Sequence, residues 1–293
     1  MPFRLAVFAL VGVTLIWGTT FVVIKDALET MPVPVLLALR FSLTALAFIW
    51  VPFDRRVVKP ALILGLIAFV AYGSQTLGLN TTTASKAAFI TGLSVVLTPI
   101  VSAVAFKYAV PGRAWWATAL ATGGLALLTL QGSGLVGPNV GDAWVLLTAL
   151  SYALHITYLG SVARSGSALA LAGMQHLPMA VLAWVWAAPQ AGVITTFGWT
   201  EWSAVVYLAV VATAVIAVVQ VNAQRVVPPY LAALIFVLEP VFAALLAYLL
   251  LGERLTAAGW IGAGIVFAAM LVAELKPKRA LAAWQARREQ RRA

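Results

Sequence analysis

The sequence predicts an all-α polytopic membrane protein: ten transmembrane helices, arranged as two inverted five-helix repeats around a central cavity. Three observations carry that prediction. The 293 residues are 63% hydrophobic and only 10% charged, with a mean hydropathy of +1.00. Soluble domains hold about 45–50% apolar and about 25% charged residues, and no water-facing surface could hide this excess. The apolar residues fall into ten continuous runs close to the ~20 residues that cross a bilayer as a helix. They do not alternate with period two, which speaks against a β-barrel. Finally, the first five runs match the last five in their marker residues.

The runs occupy 4–25, 33–52, 60–79, 86–107, 113–130, 142–162, 168–188, 200–224, 230–251 and 256–275. What is left makes short loops with no room for a soluble domain. Span 1 exceeds a signal-peptide core and ends at Lys25-Asp26 without a small-residue cleavage site, so it is read as a retained helix. With the N-terminus inside, the inner segments carry Arg4, Arg55, Arg56, Lys59, Lys107, Arg113, Arg164 and Arg225. The tail adds Lys276, Lys278, Arg279, Arg287, Arg288, Arg291 and Arg292, whereas the outer segments hold only Lys25, Lys86 and Arg254. This bias places both termini of a multi-pass membrane protein in the cytoplasm. The net charge of +10 is thus an orientation signal, and no nucleic-acid partner is expected. The basic tail is expected to rest on anionic lipid. Tryptophans gather near span ends, but Trp17 lies well inside span 1. The absence of cysteine excludes disulfides, thiolate metal sites and a cysteine nucleophile.

The repeat aligns Trp17 with Tyr152, Phe21 with Ile156 and Arg40 with Gln175. Further on, Leu97-Thr98-Pro99 aligns with Leu238-Glu239-Pro240, Gly112-Arg113 with Glu253-Arg254, and Gly123 with Gly264. Five spans per half is an odd number, so the second half sits inverted relative to the first. The expected division is 1–131, 132–275 and a basic cytoplasmic tail over 276–293. Inverted repeats of this kind underlie many secondary transporters, which bind substrate near the midplane. Pro99 and Pro240 fall near the middles of spans 4 and 9, where proline removes a backbone hydrogen bond. A packing kink and a gating bend both fit them.

Span 9 and its exit read Val237-Leu238-Glu239-Pro240-Val241-Phe242-Ala243-Ala244-Leu245, then Leu251-Gly252-Glu253-Arg254-Leu255-Thr256. This resembles the signature late in the second repeat of EamA-type transporters of the drug/metabolite transporter superfamily. Ile16-Trp17-Gly18-Thr19-Thr20-Phe21 is similar to that family's opening motif, and Arg40 matches its second-span arginine. The wording is closest to bacterial amino-acid exporters, including the aromatic amino-acid exporter (YddG-type) group. The resemblance implies a secondary transporter of the bacterial inner membrane that exports amino acids by alternating access, with broad or aromatic-tolerant specificity and no cofactor. It also implies peripheral fifth and tenth helices. Here these hold Gly123-Gly124, Ala258, Gly262 and Gly264, small residues that suit close helix contacts or a dimer seam. Monomer and homodimer both stay open.

Polar side chains in hydrocarbon usually face a protein interior or water, and helical spacing indicates which face looks inward. The cavity candidates are Trp17 and Phe21 in span 1, Tyr72 and Gln75 in span 3, and Ser94 and Thr98 in span 4. Span 6 offers Ser151, His155 and Tyr158, span 7 His176, span 8 Gln220 and span 9 Glu239. Each has a plainer role beside the functional one. Serine and threonine hydroxyls bond their own helix backbone, and Trp17 can be simple packing. His155 and His176 sit at similar depth and can hydrogen-bond between helices or contact substrate. Arg40 can snorkel outward, pair internally or attract a carboxylate. Glu239, the acidic residue nearest a span centre, can couple protons or make a structural bond beside Pro240. Arg40, Glu239, Pro99 and Pro240 are therefore the candidates for coupling or gating.

Aromatic surface with neutral hydrogen-bonding groups suits a small amphipathic substrate such as an amino acid. No intramembrane Arg/Lys cluster suits phosphorylated sugars, and no ring of acids suits multivalent cations. Exporters of drugs or other metabolites on the same fold are the nearest competing class, and a channel or structural membrane protein is a more distant one. An enzyme is disfavoured: there is no HExxH, no GxSxG and no Walker A motif. The expected partners are a small-molecule substrate and the lipid bilayer.

Overall fold

The computed structural model describes residues 1–82, 84–129, 139–250 and 256–274, and the regular elements among them are all helical. The exit motif around Glu253-Arg254 and the basic tail over 276–293 lie outside the described residues.

Helix α1 (Phe3–Ala27) opens behind Pro2, and α2 (Val33–Leu46) carries Pro34 in its first turn. Proline is tolerated there because first-turn N–H groups have no helical partner. A short 3₁₀ turn (Arg55–Val57), capped by Asp54, leads into α3 (Val58–Thr81). Span 4 is divided into α4 (Ala84–Gly92) and α5 (Ser94–Val104), and α6 (Gly112–Thr129) follows. Helix α7 (Val140–Val162) begins with a capping box. The Asp142 N–H donates to Asn139 Oδ1 at 3.0 Å, and the Asn139 N–H donates to Asp142 Oδ2 at 2.9 Å.

Span 7 is divided into α8 (Ala168–Met174) and α9 (His176–Ala187). Span 8 is α10 (Trp199–Val206), a π-helical segment (Tyr207–Val215) and α11 (Ile216–Ala223). Span 9 is α12 (Pro229–Phe236) and α13 (Leu238–Leu250), and α14 (Ala257–Glu274) ends the described chain. Among the described residues, seven stretches are long and apolar enough to cross a membrane, while α2 and Ala257–Ala273 are shorter apolar helices. Phe8, Val104, Trp116 and Val185 all expose more than 70% of their surface, an arrangement that suits lipid rather than water.

Breaks and prolines relate differently from span to span. Pro240 sits in the first turn of α13 and Pro178 in the first turn of α9, each just after a break, where a missing N–H is harmless. In span 4 the break falls at Leu93, and Pro99 lies inside α5. That bend therefore precedes the proline that the sequence marks.

Glycine sets two contacts. A Cβ on Gly262 would come within 2.6 Å of the Gly124 carbonyl oxygen and 2.7 Å of the Leu128 nitrogen, so α6 and α14 meet backbone to backbone. Gly123 and Gly264 face open space. A Cβ on Gly18 would meet the Ala243 nitrogen at 3.0 Å and the Glu239 carbonyl oxygen at 3.2 Å, bringing α1 onto α13.

Polar clasps tie both ends of the bundle. At one end Lys86 Nζ pairs with Asp142 Oδ2 at 2.6 Å, the Thr82 hydroxyl donates to Asp142 Oδ1 at 3.0 Å, and Lys25 Nζ donates to the Thr82 carbonyl at 3.3 Å. At the other, Arg56 Nε donates to Asp54 Oδ1 at 2.9 Å and the Ser167 N–H to Asp54 Oδ2 at 2.8 Å. The Arg56 side chain, followed by the Ser167 N–H, holds the Asp54 carboxyl well below the usual carboxylate range. Close by, Arg225 donates to the carbonyls of Ala163 and Gly166 at 2.9 and 2.6 Å.

Candidate functional site

A cavity of about 70 Å³ lies between the two halves. Helix α1 presents Trp17, Thr20, Phe21 and Ile24 to it, close to one stripe of a 3.6-residue helix. From α3 come Ala68, Tyr72 and Gln75, and from α7 Tyr152, His155 and Ile156. The broken span 4 gives Ala88, Thr91, Gly92 and Ser94, and the broken span 9 gives Phe236, Val237, Glu239 and Pro240. Arg40 and Gln220 complete the lining.

The walls are held by a chain of ring and amide contacts. The Tyr72 ring is edge-on to Phe41 at 5.5 Å and to Tyr152 at 5.9 Å. The Tyr152 hydroxyl donates to Gln75 Oε1 at 3.3 Å, and Gln75 Nε2 donates to the Thr91 hydroxyl at 3.4 Å. Across the space, Trp17 donates from Nε1 to the Ala212 carbonyl at 3.3 Å and packs edge-on against Phe236 at 5.1 Å. Gln220 Nε2 donates to Gln224 Oε1 at 3.2 Å, and Gln224 Nε2 donates to the Ile156 carbonyl at 2.8 Å.

Two charged groups face this space. Arg40 is 2% exposed, so its side chain does not snorkel outward. Its Nε donates to the Thr213 hydroxyl at 2.8 Å, and its guanidinium carbon lies 4.7 Å from the Tyr72 ring centroid. Glu239 is half-buried and has no hydrogen bond or salt bridge among the described residues. Among the described residues the two side chains do not form an ion pair.

The cavity thus gathers Trp17, Phe21, Arg40, Tyr72, Gln75, Ser94, His155, Gln220, Glu239 and Pro240 from the residues singled out in the sequence. Thr98, Pro99, Ser151, Tyr158 and His176 are not in its lining. The Thr98 hydroxyl donates to the Ser94 carbonyl at 2.7 Å, one turn back along its own helix. Ser151 is buried, and Tyr158 packs against Phe106 with centroids 6.4 Å apart. His176 stacks on Phe48 with ring planes 3° apart, and its Nδ1 bonds the Ala172 carbonyl at 2.8 Å. His155 bonds Gln175 at 3.1 Å rather than His176.

Sequence reasoning missed Thr20, Tyr152 and Phe236 in the lining and Thr213 behind Arg40. A signal existed for Tyr152, since it is the repeat counterpart of Trp17. Indeed both members of the aligned pairs Trp17/Tyr152 and Phe21/Ile156 line the cavity.

Among the described residues, no group of histidine and acidic side chains could hold a metal ion. The arrangement suits binding of a small molecule with apolar and charged parts.

The EamA-like transporter family model matches residues 4–130 and 139–274. An uncharacterized transporter of Archaeoglobus fulgidus is 33% identical over 268 residues, which span 90% of this chain and 84% of that relative. One solved chain, described only as the crystal structure of a protein, superposes with a TM-score of 0.78 at 19% identity. The match covers 95% of this chain and 99% of that one and is a likeness of fold alone. Together with the apolar helices, the family match makes this a multi-pass membrane transporter and not an enzyme: the chain belongs to the EamA-like transporter family.

Proposed function

We propose that the protein is a secondary transporter that exports amino acids across the bacterial inner membrane by alternating access, with broad or aromatic-tolerant specificity. Ten membrane-crossing helices form two inverted repeats, 1–131 and 132–275, with both termini cytoplasmic and a basic tail over 276–293. The family model matching once in each half supports the repeat. So does the packing: α6 lies on α14, and α2 on α9, each pairing a helix with its own repeat counterpart.

The observation that carries the substrate reading is the cavity itself. A zwitterion with an apolar side chain needs one cation, one anion and aromatic surface. Arg40, Glu239, and Trp17 with Tyr72 and Tyr152 supply them on one wall or another. The open volume of about 70 Å³ accommodates only a few heavy atoms, so a larger side chain requires the walls to part. The broken helices around Leu93 and Val237, which border the cavity, suit such movement.

The test uses purified protein in liposomes, offered labelled amino acids, polyamines and cationic dyes with and without pH and potential gradients. Saturable amino-acid uptake above empty-liposome background is expected. Uptake of a dye with no amino acid entering would instead assign the protein to drug export on the same fold.

A further inference from the structure

Arg40 is held in an unusual way for a cation inside a membrane protein. Its Nε–H goes to Thr213, one guanidinium face lies on Tyr72, and among the described residues no carboxylate reaches it. The two Nη groups carry four N–H donors that meet no acceptor among the described residues, although the side chain is 2% exposed. A buried charge without a counter-ion is strongly unfavourable, so a site that keeps one open is built for a charge that arrives. Among the described residues, Glu239 is the one carboxylate on the same cavity, and it likewise has no hydrogen-bond or ion-pair partner.

Thr213 explains why the guanidinium stays in place. It lies in the π-helical segment Tyr207–Val215, and its hydroxyl donates to the Leu208 carbonyl, five residues back, at 2.7 Å. An ordinary helical threonine bonds three or four residues back. The wider turn aims the hydroxyl lone pair at α2, where it accepts from Arg40 Nε. Neighbours hold the same segment: the Thr44 hydroxyl donates to the Ala209 carbonyl at 3.0 Å, Trp17 Nε1 reaches the Ala212 carbonyl, and the Thr19 and Tyr207 hydroxyls bond each other. π-Helical turns often occur at functional sites. This one braces a cavity cation.

We propose that the two Nη groups of Arg40 form the docking point for a substrate carboxylate, with Thr213 as the positioning residue that fixes the guanidinium plane and Glu239 facing the substrate ammonium. The planar fork of arginine matches a carboxylate in two parallel hydrogen bonds, which a lysine ammonium cannot reproduce. The proposal rests on the amino-acid reading above and narrows it: the α-carboxylate is obligatory, while the side chain meets tolerant aromatic walls.

The experiment measures inhibition of labelled phenylalanine uptake in proteoliposomes by phenylalanine, phenylalaninamide, phenethylamine and 3-phenylpropionate. In the parent protein, phenylalaninamide and phenethylamine should compete about ten- to hundredfold less well than phenylalanine, the usual effect of losing hydrogen bonds to a charged group. Equal competition by the amide would overturn the docking proposal while leaving amino-acid transport intact. No phenylalanine or other amino-acid uptake in the parent would instead defeat the broader reading.

Variants read the same ratio. Arg40→Gln and Arg40→Lys should collapse the phenylalanine-to-amide preference, and Thr213→Val should reduce it. Structural damage alone would weaken both ligands equally, and that outcome would contradict the assigned roles. The parent ligand series keeps the test decisive even where a variant fails to fold.

Discussion

Arg40 and Thr213, 173 positions apart in the chain, are joined at 2.8 Å from Nε to the threonine hydroxyl. The bond fastens α2 of the first half to the π-helical segment of the second, directly behind the cavity. A movement of one half against the other must therefore carry this bond with it or break it, and either course changes how Arg40 faces the substrate.

Glu239 stands on the same cavity with no hydrogen-bond or ion-pair partner among the described residues, and we propose that it can carry a proton when no substrate ammonium faces it. Glu239→Gln keeps its shape and removes its titration. The variant should bind substrate more weakly and its remaining transport should lose its response to an imposed pH gradient, measured in proteoliposomes with and without a pH step. Unchanged gradient dependence would remove Glu239 from the coupling role.

Trp17 joins the wall through its ring against Phe236 and its Nε1 on Ala212. Trp17→Ala should alter the ranking of amino-acid substrates while leaving expression near normal. Competition profiles against labelled substrate, together with membrane protein yield, check both halves of the expectation. Loss of the protein would mark Trp17 as packing alone.

Much of this architecture is legible in the sequence. Continuous apolar runs locate the helical stretches because the bilayer imposes both length and polarity on them. Trp17 stood out because indole usually sits at headgroup depth. The breaks were harder. Pro99 suggests a bend at its own position, but the helix break falls earlier, at Leu93, and the break at Gln175 has no mark at its own position in the sequence. The π-helical segment leaves no compositional trace, since Tyr207–Val215 reads as one more apolar run, and so Thr213 escaped notice. Polar stripes show which face carries hydroxyls but not what stands opposite. The stripes thus point Thr98, Tyr158 and His176 toward the cavity, while the structure sets them against Ser94, Phe106 and Phe48.

The α6–α14 seam gives a matched pair of tests. Gly262→Ala introduces a Cβ 2.6 Å from a backbone oxygen that cannot rotate away, whereas the space beside Gly264 is open. Gly262→Ala should lower stability by about 1–3 kcal/mol through overpacking. Gly264→Ala should have little effect. Thermal unfolding in detergent separates the two, and a large loss at Gly264 would show that its open face is covered by a second copy.

Asp54 sets an acid limit on the clasp between the turn before α3 and the start of α8. Its carboxyl is held low by Arg56 and by the Ser167 N–H, so its folded value lies below the ~3.9 of an unfolded chain. Such a group contributes stability that is fully present above about pH 4 and is lost as pH falls through the folded value. Asp54→Asn should therefore flatten the acid end of a stability–pH curve and leave its slope between pH 5 and pH 8 unchanged. A changed slope near neutrality would mean that another group titrates there through this clasp.

Counterflow distinguishes alternating access around one cavity from passage through a pore. Proteoliposomes preloaded with an unlabelled amino acid should take up the labelled form faster and transiently above equilibrium, because the loaded carrier returns more readily than the empty one. Uptake at a rate independent of the internal load would contradict the account and identify an open pore.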